Sequence, residues 1–384
     1  MSNHFFVVME KLRICILIVT VIFSGACTRF GDNALVNPGE LSDGDRETFI
    51  EGVKGINLVV FDAPFDSPVV GYKLYSSGEG TQSDPAKWTL LGSDGGRKWE
   101  VIDSREGQSF CARFQEIYCP VTFPVKYKRY MLEFETADGS APAISEVEFF
   151  DRDIMAGWYD FNYPEVDFKV TDPDTEGAAL YGRLVQEPEE YVCYHARKVC
   201  EILFWSDGDP MYDVRKINYT LRNYDGISAK GGSPPEIYIE YSTRHVGMSA
   251  AESFYKLDYE TRGVLFHELV HAYQHEPRGI GTYSTNREFW ACIEGLADAV
   301  RSEAGFFDVA ALRKPGGHWL DGYKTTGFFL QWLTIKDPDA IRKFHVTVRD
   351  LDVWSFDKAM KELFGEESGI EKMWGEYQRY LNEG

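Results

Sequence analysis

Positive charge is what this chain lacks most. Its 40 lysines and arginines stand against 61 aspartates and glutamates, a net charge of −21 over 384 residues. That carboxylate excess repels phosphate, so neither nucleic acid nor an anionic membrane surface is expected as a partner. Cysteine is scarce, with seven in all. Beyond Cys27 only Cys111 and Cys119, which flank Ala112 to Tyr118, are placed to close a local loop in an oxidising compartment. Cys193 and Cys200 fall on one helical stretch whose intervening turns rise about 10.5 Å, too far for a bridge, and Cys292 is left over as a packed thiol. Long apolar runs are missing too. The run Ile14 to Phe23 is too short to cross a bilayer comfortably. No internal repeat or low-complexity tract occurs, which removes solenoids and propellers. What remains, 44% hydrophobic and 26% charged, is a globular composition long enough for two domains.

The N-terminus carries an address. Lys11 and Arg13 precede the apolar run, and Ser24-Gly25-Ala26-Cys27 follows it, small residues before a cysteine. The segment resembles a bacterial lipoprotein signal with its lipobox, although Ser24 stands where such boxes more often carry Leu. That resemblance implies a signal peptide over residues 1–26 and acyl chains on Cys27. The exported protein would then be anchored to a membrane at the cell surface or in the periplasm. An ordinary secretory signal would instead leave Cys27 as a spare thiol. Residues 27–45, rich in Gly, Asn, Asp and Ser and without periodicity, read as a tether.

Residues 46–151 are written in short strands separated by turn signals: Val69–Ser77, Trp88–Gly92, Trp99–Asp103, Lys128–Phe134 and Ile144–Phe150. Ser93-Asp94-Gly95-Gly96 makes a hairpin-like turn. This spacing predicts an all-β sandwich. The run from Asp84 to Trp99, with the Tyr130 strand and the closing Ile144–Glu148 strand, resembles the discoidin, or coagulation-factor C-type, family. The resemblance implies a jelly roll, and with it a carbohydrate-binding role through loops at one end. Trp88 and Trp99 lie on strands and are expected in the core, not on a ligand platform.

Residues 152–384 change character near Met155, which suggests few contacts shared with the sandwich. Val192, Ala196, Val199 and Leu203 form a helical stripe, while Ile217, Tyr219 and Leu221, then Ile237, Ile239 and Tyr241, alternate as strands. Beyond Thr261 the pattern is helical, over about 261–276, 287–304 and 321–336 and then in shorter pieces. A mixed sheet followed by helices predicts an α+β domain.

The chemistry concentrates in two of those helices. His267 and His271 in His267-Glu268-Leu269-Val270-His271 are four apart and share a face. Two imidazoles so placed can chelate one Zn²⁺, and Glu268 beside the first can act as general base on water. The next helix carries Glu294 and Asp298, again four apart. A catalytic zinc site wants three protein ligands and an open position, so Glu294 suits the third ligand, and Asp298 suits the carboxylate behind a ligating histidine. Gly295, costly within a helix, is expected to let two helices approach closely.

This layout resembles the gluzincin metallopeptidases. The match widens with Tyr224–Ser228, Pro235–Ile239, Gly263–Gln274, Ile293–Arg301 and Gly322–Leu330, which together resemble the basic secretory protein family of plant and bacterial peptidases. The resemblance runs over most of 155–384 and implies a zincin-like metallopeptidase domain. The present chain is acidic, so any role that relatives owe to positive charge does not carry over. Tyr323, opening a helix, is a candidate donor to a tetrahedral oxyanion, and His318 is a weaker one. His275, four after His271, is placed where a different zincin class has its third ligand. The strand Glu236–Tyr241 precedes the metal helix, as does the edge strand that receives extended substrate in zincins.

The expectation is a zinc endopeptidase acting on proteins or glycoproteins, with a glycan as the expected ligand of the N-terminal module. A glycan-binding lipoprotein with an idle zincin domain is the alternative, and an amidase on cell-wall peptides would use the same site. The intact set His267, Glu268, His271 and Glu294 favours an enzyme.

Overall fold

The computed structural model describes residues 34–55 and 57–383. Residues 1–26, where a signal peptide is expected, and Cys27 lie outside them. The first region holds two facing sheets. One runs β1-β3-β8-β5-β6, from Leu35–Val36, Asn57–Asp62, Arg129–Thr136, Pro85–Ser93 and Glu100–Glu106. The other runs β2-β9-β4-β7, from Ile50–Glu51, Ala143–Phe150, Gly71–Ser76 and Glu116–Pro120. Alternate residues such as Tyr72 and Leu74, Trp88 and Leu90, and Tyr130, Leu132 and Phe134 turn into one core, as the period of a strand requires. Trp88 is fully buried and donates its indole N–H to the Tyr72 hydroxyl at 2.7 Å, while Trp99 is half-buried.

Residues 35–41 of the expected tether are part of the sandwich. Leu35 and Val36 pair in parallel with Val59 and Val60, and Leu41 is fully buried in the sandwich core. One leucine with a place in the core is enough to hold the polar residues around it. The loop closure considered for Cys111 and Cys119 is not made. Cys119 packs in the sandwich core, whereas Cys111 belongs to the core of the second region and sets its thiol on Gln115 Oε1 at 2.7 Å.

The second region opens with a four-stranded mixed sheet, β10 (Glu165–Val170), β11 (Lys216–Arg222), β13 (Glu236–Ser242) and β12 (Ser228–Ser233) in that spatial order. Helices α1 (Glu176–Leu184) and α2 (Pro188–Leu203) fall between its first two strands. After the sheet come α3 (Thr243–Glu252), α4 (Phe254–Tyr273), α5 (Arg287–Glu303), α6 (Val309–Leu312), α7 (Tyr323–Trp332), α8 (Ala340–Asp350), α9 (Phe356–Phe364) and α10 (Ile370–Glu383). This is the α+β architecture that the pattern predicts. Among the described residues no helix is long and apolar enough to cross a membrane. The edge-strand expectation needs correction: β13 pairs on both sides, with β11 in parallel and β12 antiparallel. The edges are β10 and β12, and the Ser-Ala-Lys-Gly-Gly-Ser sequence of β12 carries no apolar alternation by which to recognise a strand.

The two regions share more than expected. The loop between β6 and β7 enters the second core, where Cys111, Ala112 and Phe114 are buried. Ala112 bridges antiparallel to Val185, Arg113 N donates to Leu184 O at 2.8 Å, and Gln186 N donates to Cys111 O at 2.9 Å. Composition changes at Met155, but burial does not.

Candidate metal centre

Helix α4 starts at a serine cap, Ser253 Oγ accepting from Lys256 N at 2.8 Å, and reaches its C-terminal end with His267 and His271 on one face. Helix α5 starts at Asn286, whose side chain accepts from Phe289 N at 2.9 Å. It delivers Glu294 and Asp298 to the same place. His267 Nε2 and His271 Nε2 are 3.1 Å apart, and Glu294 Oε2 lies 3.4 Å from the first and 3.7 Å from the second. A tetrahedral metal about 2.1 Å from each ligand spaces its ligand atoms about 3.4 Å apart. The three donors therefore fit a zinc-like ion, and they are the one such His/Cys/Asp/Glu group among the described residues.

The outer atoms of the three are each engaged. His267 Nδ1 meets Asp298 Oδ1 at 2.8 Å, which holds a proton on Nδ1, so that loss of the other ring proton would free the Nε2 lone pair for an ion. Glu294 Oε1 accepts from the Tyr283 hydroxyl at 2.6 Å. His271 Nδ1 lies 2.6 Å from the amide of Gln274, whose Oε1 is buried without a partner. Turned end for end, that amide would accept the Nδ1 proton and satisfy its own oxygen.

Charge follows the same lines. Burial opposes a charge on His267, but the carboxylates of Asp298 and Glu294 push its pKa up to about 10. Burial, then the charge on His267, drives His271 down to about 3. Burial also opposes ionisation of Glu294, yet His267, His271 and the Tyr283 hydroxyl hold it below the usual carboxylate range. Glu268, only 5% exposed, is raised chiefly by burial, and its Oε1 accepts from Ser228 Oγ at 2.5 Å. A carboxyl raised by burial and set next to the donor triangle is placed to accept and return a proton.

The remaining candidates separate. Tyr323 joins the site: its ring stacks on His267 at 6.0 Å and 16°, and about half of it is exposed. Its φ of 41° follows Gly322 at 71°, where a Cβ would strike the Trp290 ring at 2.4 Å. His318 is exposed and lies on Trp319 at 3.7 Å, with Nδ1 accepting from Leu320 N. His275 stays outside because α4 ends at Tyr273 and Gln274 is extended, at φ −68° and ψ 141°. His275 therefore leaves the helical face and stacks on His345 at 4.6 Å. Gly295 does permit a close approach, but to α7, where a Cβ would meet Thr326 Cγ2 at 2.4 Å. Gly327 of α7 answers it against Asp298 Cβ at 2.8 Å. Ser228, Gln274 and Tyr283 carried no recognised role in the sequence. The first two sit within family-like motifs, and Tyr283 lies in a loop with no spacing signal. Tyr283 also borders a cavity of about 760 Å³ with Tyr212, His275, Arg278, Phe289 and Arg349.

Comparison with known proteins adds the following. The family model BSP, described as a peptidase of plants and bacteria, matches residues 163–377. No curated protein matches the chain. Similar solved structures include CpGH89CBM32-5 from Clostridium perfringens, in complex with GalNAc-beta-1,3-galactose, at 12% identity and TM-score 0.26 over 29% of this chain and 81% of that chain. The family 32 carbohydrate-binding module from Streptococcus pneumoniae EndoD is similar at 12% identity and TM-score 0.26, over 29% and 84%. CBM32-1 from a family 31 glycoside hydrolase of Clostridium perfringens is similar at 14% and 0.26, over 33% and 91%.

Proposed function

This chain belongs to the peptidase family of plants and bacteria whose model it matches, and from that premise we propose that it is an exported, lipid-anchored zinc metallopeptidase that hydrolyses peptide bonds of proteins or glycoproteins. The observation that carries the reading is the convergence of His267 Nε2, His271 Nε2 and Glu294 Oε2 within 4.8 Å of one another, with Glu268 beside them. These three atoms would hold the ion. Zinc there supplies Lewis acidity, which acidifies water and polarises a peptide carbonyl.

The chain's own residues do the rest. Asp298 keeps the His267 proton on Nδ1, so that Nε2 stays a donor. Ser228 holds Glu268 Oε1, leaving Oε2 to take a proton from the attacking water and return it to the departing amine nitrogen. Tyr323, with its ring on His267, offers its hydroxyl to the oxyanion. An extended substrate would add to the edge strand β12, whose first residue already touches Glu268. The discoidin-like sandwich would supply any affinity for glycan on the substrate.

Purified protein should contain one zinc per chain, lose proteolysis of a mixed proteome on chelation and regain it with zinc. Cleavage that survives full metal removal would sink the proposal. The anchor is tested separately: mass spectrometry should find an acylated Cys27 at the mature N-terminus, and an unmodified terminus or a retained signal would reject it.

A further inference from the structure

Helix α4, which carries both histidines, is gripped from the other region of the chain. Arg262 lies on it and is 2% exposed. Its Nε donates to Asp258 Oδ1 at 2.7 Å on the same helix, but its other arms leave the helix altogether. Nη2 donates to the main-chain carbonyls of Phe114 at 2.8 Å and Arg113 at 3.3 Å, and Nη1 faces Glu116 Oε2 at 3.5 Å. Glu116 opens strand β7 of the sandwich, and Arg113 and Phe114 lie on the loop between β6 and β7. Glu116 is itself buried, lies 3.8 Å from Arg46 and accepts from the Tyr194 hydroxyl. Phe114, at φ 58°, sets its ring against Phe254 at 5.9 Å and Tyr255 at 5.4 Å, the opening residues of α4. Arg113 braces the loop from behind, with Nη1 and Nη2 on Asp84 at 2.6 and 2.5 Å.

We propose that Arg262 is a positioning residue for the metal-binding helix, and that the sandwich, through Phe114 and Glu116, is a working part of that site and not an appended module. A buried guanidinium must be neutralised and hydrogen-bonded on every arm, and here most of its partners come from the sandwich. Withdrawing them leaves Asp258 alone to compensate the charge, so α4 must shift or turn to bring Arg262 to water. His267 and His271 ride on the same rigid element. Their nitrogens, 3.1 Å apart, keep a useful spacing to Glu294 only while α4 holds its place against α5.

The clamp concerns α4 itself, and its consequences for zinc binding and cleavage rest on the metallopeptidase reading. The test uses the full chain carrying Glu116→Gln, Glu116→Asp or Phe114→Leu. Hydrogen exchange is followed on the amides of residues 264–273, and zinc affinity is measured by chelator competition. Glu116→Gln should speed exchange of those amides by at least about tenfold and weaken zinc binding by about as much. Glu116→Asp should recover part of both, and Phe114→Leu should act in the same direction more weakly. If Glu116→Gln does not fold, Phe114→Leu decides. Exchange that rises only in the sandwich, or a loosened α4 with unchanged zinc affinity, overturns the proposal. A native protein that binds no zinc rejects the peptidase reading, and the exchange of α4 then decides the clamp alone.

Discussion

The two regions of this protein bury polar groups in opposite ways. In the sandwich, Asp103 accepts from the Tyr72 hydroxyl at 2.7 Å, from Arg105 Nε at 2.8 Å and from the Thr122 hydroxyl at 2.6 Å. Trp88 caps the Tyr72 oxygen in turn. Both carboxylate oxygens are spent, and the network is closed. In the second region the outer atoms of His267, His271 and Glu294 are just as carefully engaged, by Asp298, Gln274 and Tyr283. The inner atoms instead converge on one another at 3.1 to 3.7 Å. A buried network whose every atom is answered is structure, whereas one whose partners all stand behind it, leaving three donors aimed at a common point, is built to receive something.

That contrast can be broken at either end. The largest effect should come from Glu268→Gln, which removes the proton acceptor and spares the ligands. Cleavage should fall by roughly 10²–10⁴-fold with zinc content and Tm unchanged, and metal lost together with activity would mean that Glu268 is no bystander to the ion. On the structural side, Asp103→Ala leaves Arg105 and Tyr72 facing an empty buried place and should cost about 3–5 kcal/mol of stability. Calorimetry should record a lower Tm while activity per folded molecule is kept, and a variant that stays folded yet loses turnover would spoil the distinction. Asp298→Asn should weaken zinc binding about ten- to a hundredfold in chelator competition. Beside it, Glu294→Ala should lose far more zinc than His275→Ala, and the reverse ranking would mean that the third ligand is misassigned. The finest effect is Tyr283→Phe, which removes one hydrogen bond to Glu294 and should weaken zinc by about fivefold, or about 1 kcal/mol. No change in affinity would demote Tyr283 to a substrate contact.

Acid sharpens the comparison further. Burial opposes ionisation of Glu116, but Arg46, Lys73, Arg262 and Lys198 hold its carboxyl well below the usual range. A carboxyl so depressed contributes stability that is present above its unfolded-state pKa and lost only as pH falls through the folded value. The junction between the regions should therefore survive mild acid and fail in strong acid, as limited proteolysis across a pH series would report.

Much of the candidate site was legible because it is written at helical spacing. His267 with His271, and Glu294 with Asp298, each share a face by virtue of the helix period, which is a local property of the chain. Strand positions such as Tyr130, Leu132 and Phe134 were legible for the same reason with a period of two. What was left open or misread depended on partners distant along the chain, His275 among the open alternatives since Glu294 was preferred to it as third ligand. His275 has the right spacing from His271 and the wrong backbone, since the helix stops at Tyr273 before reaching it. Cys111 and Cys119 are close in sequence yet face different cores. Leu41 looked like part of a tether until a core received it.

The sequence by itself determined two cores of different period and the shared helical faces of His267 with His271 and of Glu294 with Asp298, because periodicity and i, i+4 geometry need no knowledge of neighbours. Only the tertiary structure decided that Tyr283, Gln274 and Ser228 stand behind Glu294, His271 and Glu268, that β12 rather than β13 is an edge, and that Phe114 and Glu116 grip Arg262. Each of those depends on a contact closed across a loop or between regions. Such contacts are set by how the elements pack, and no local pattern of residues encodes them.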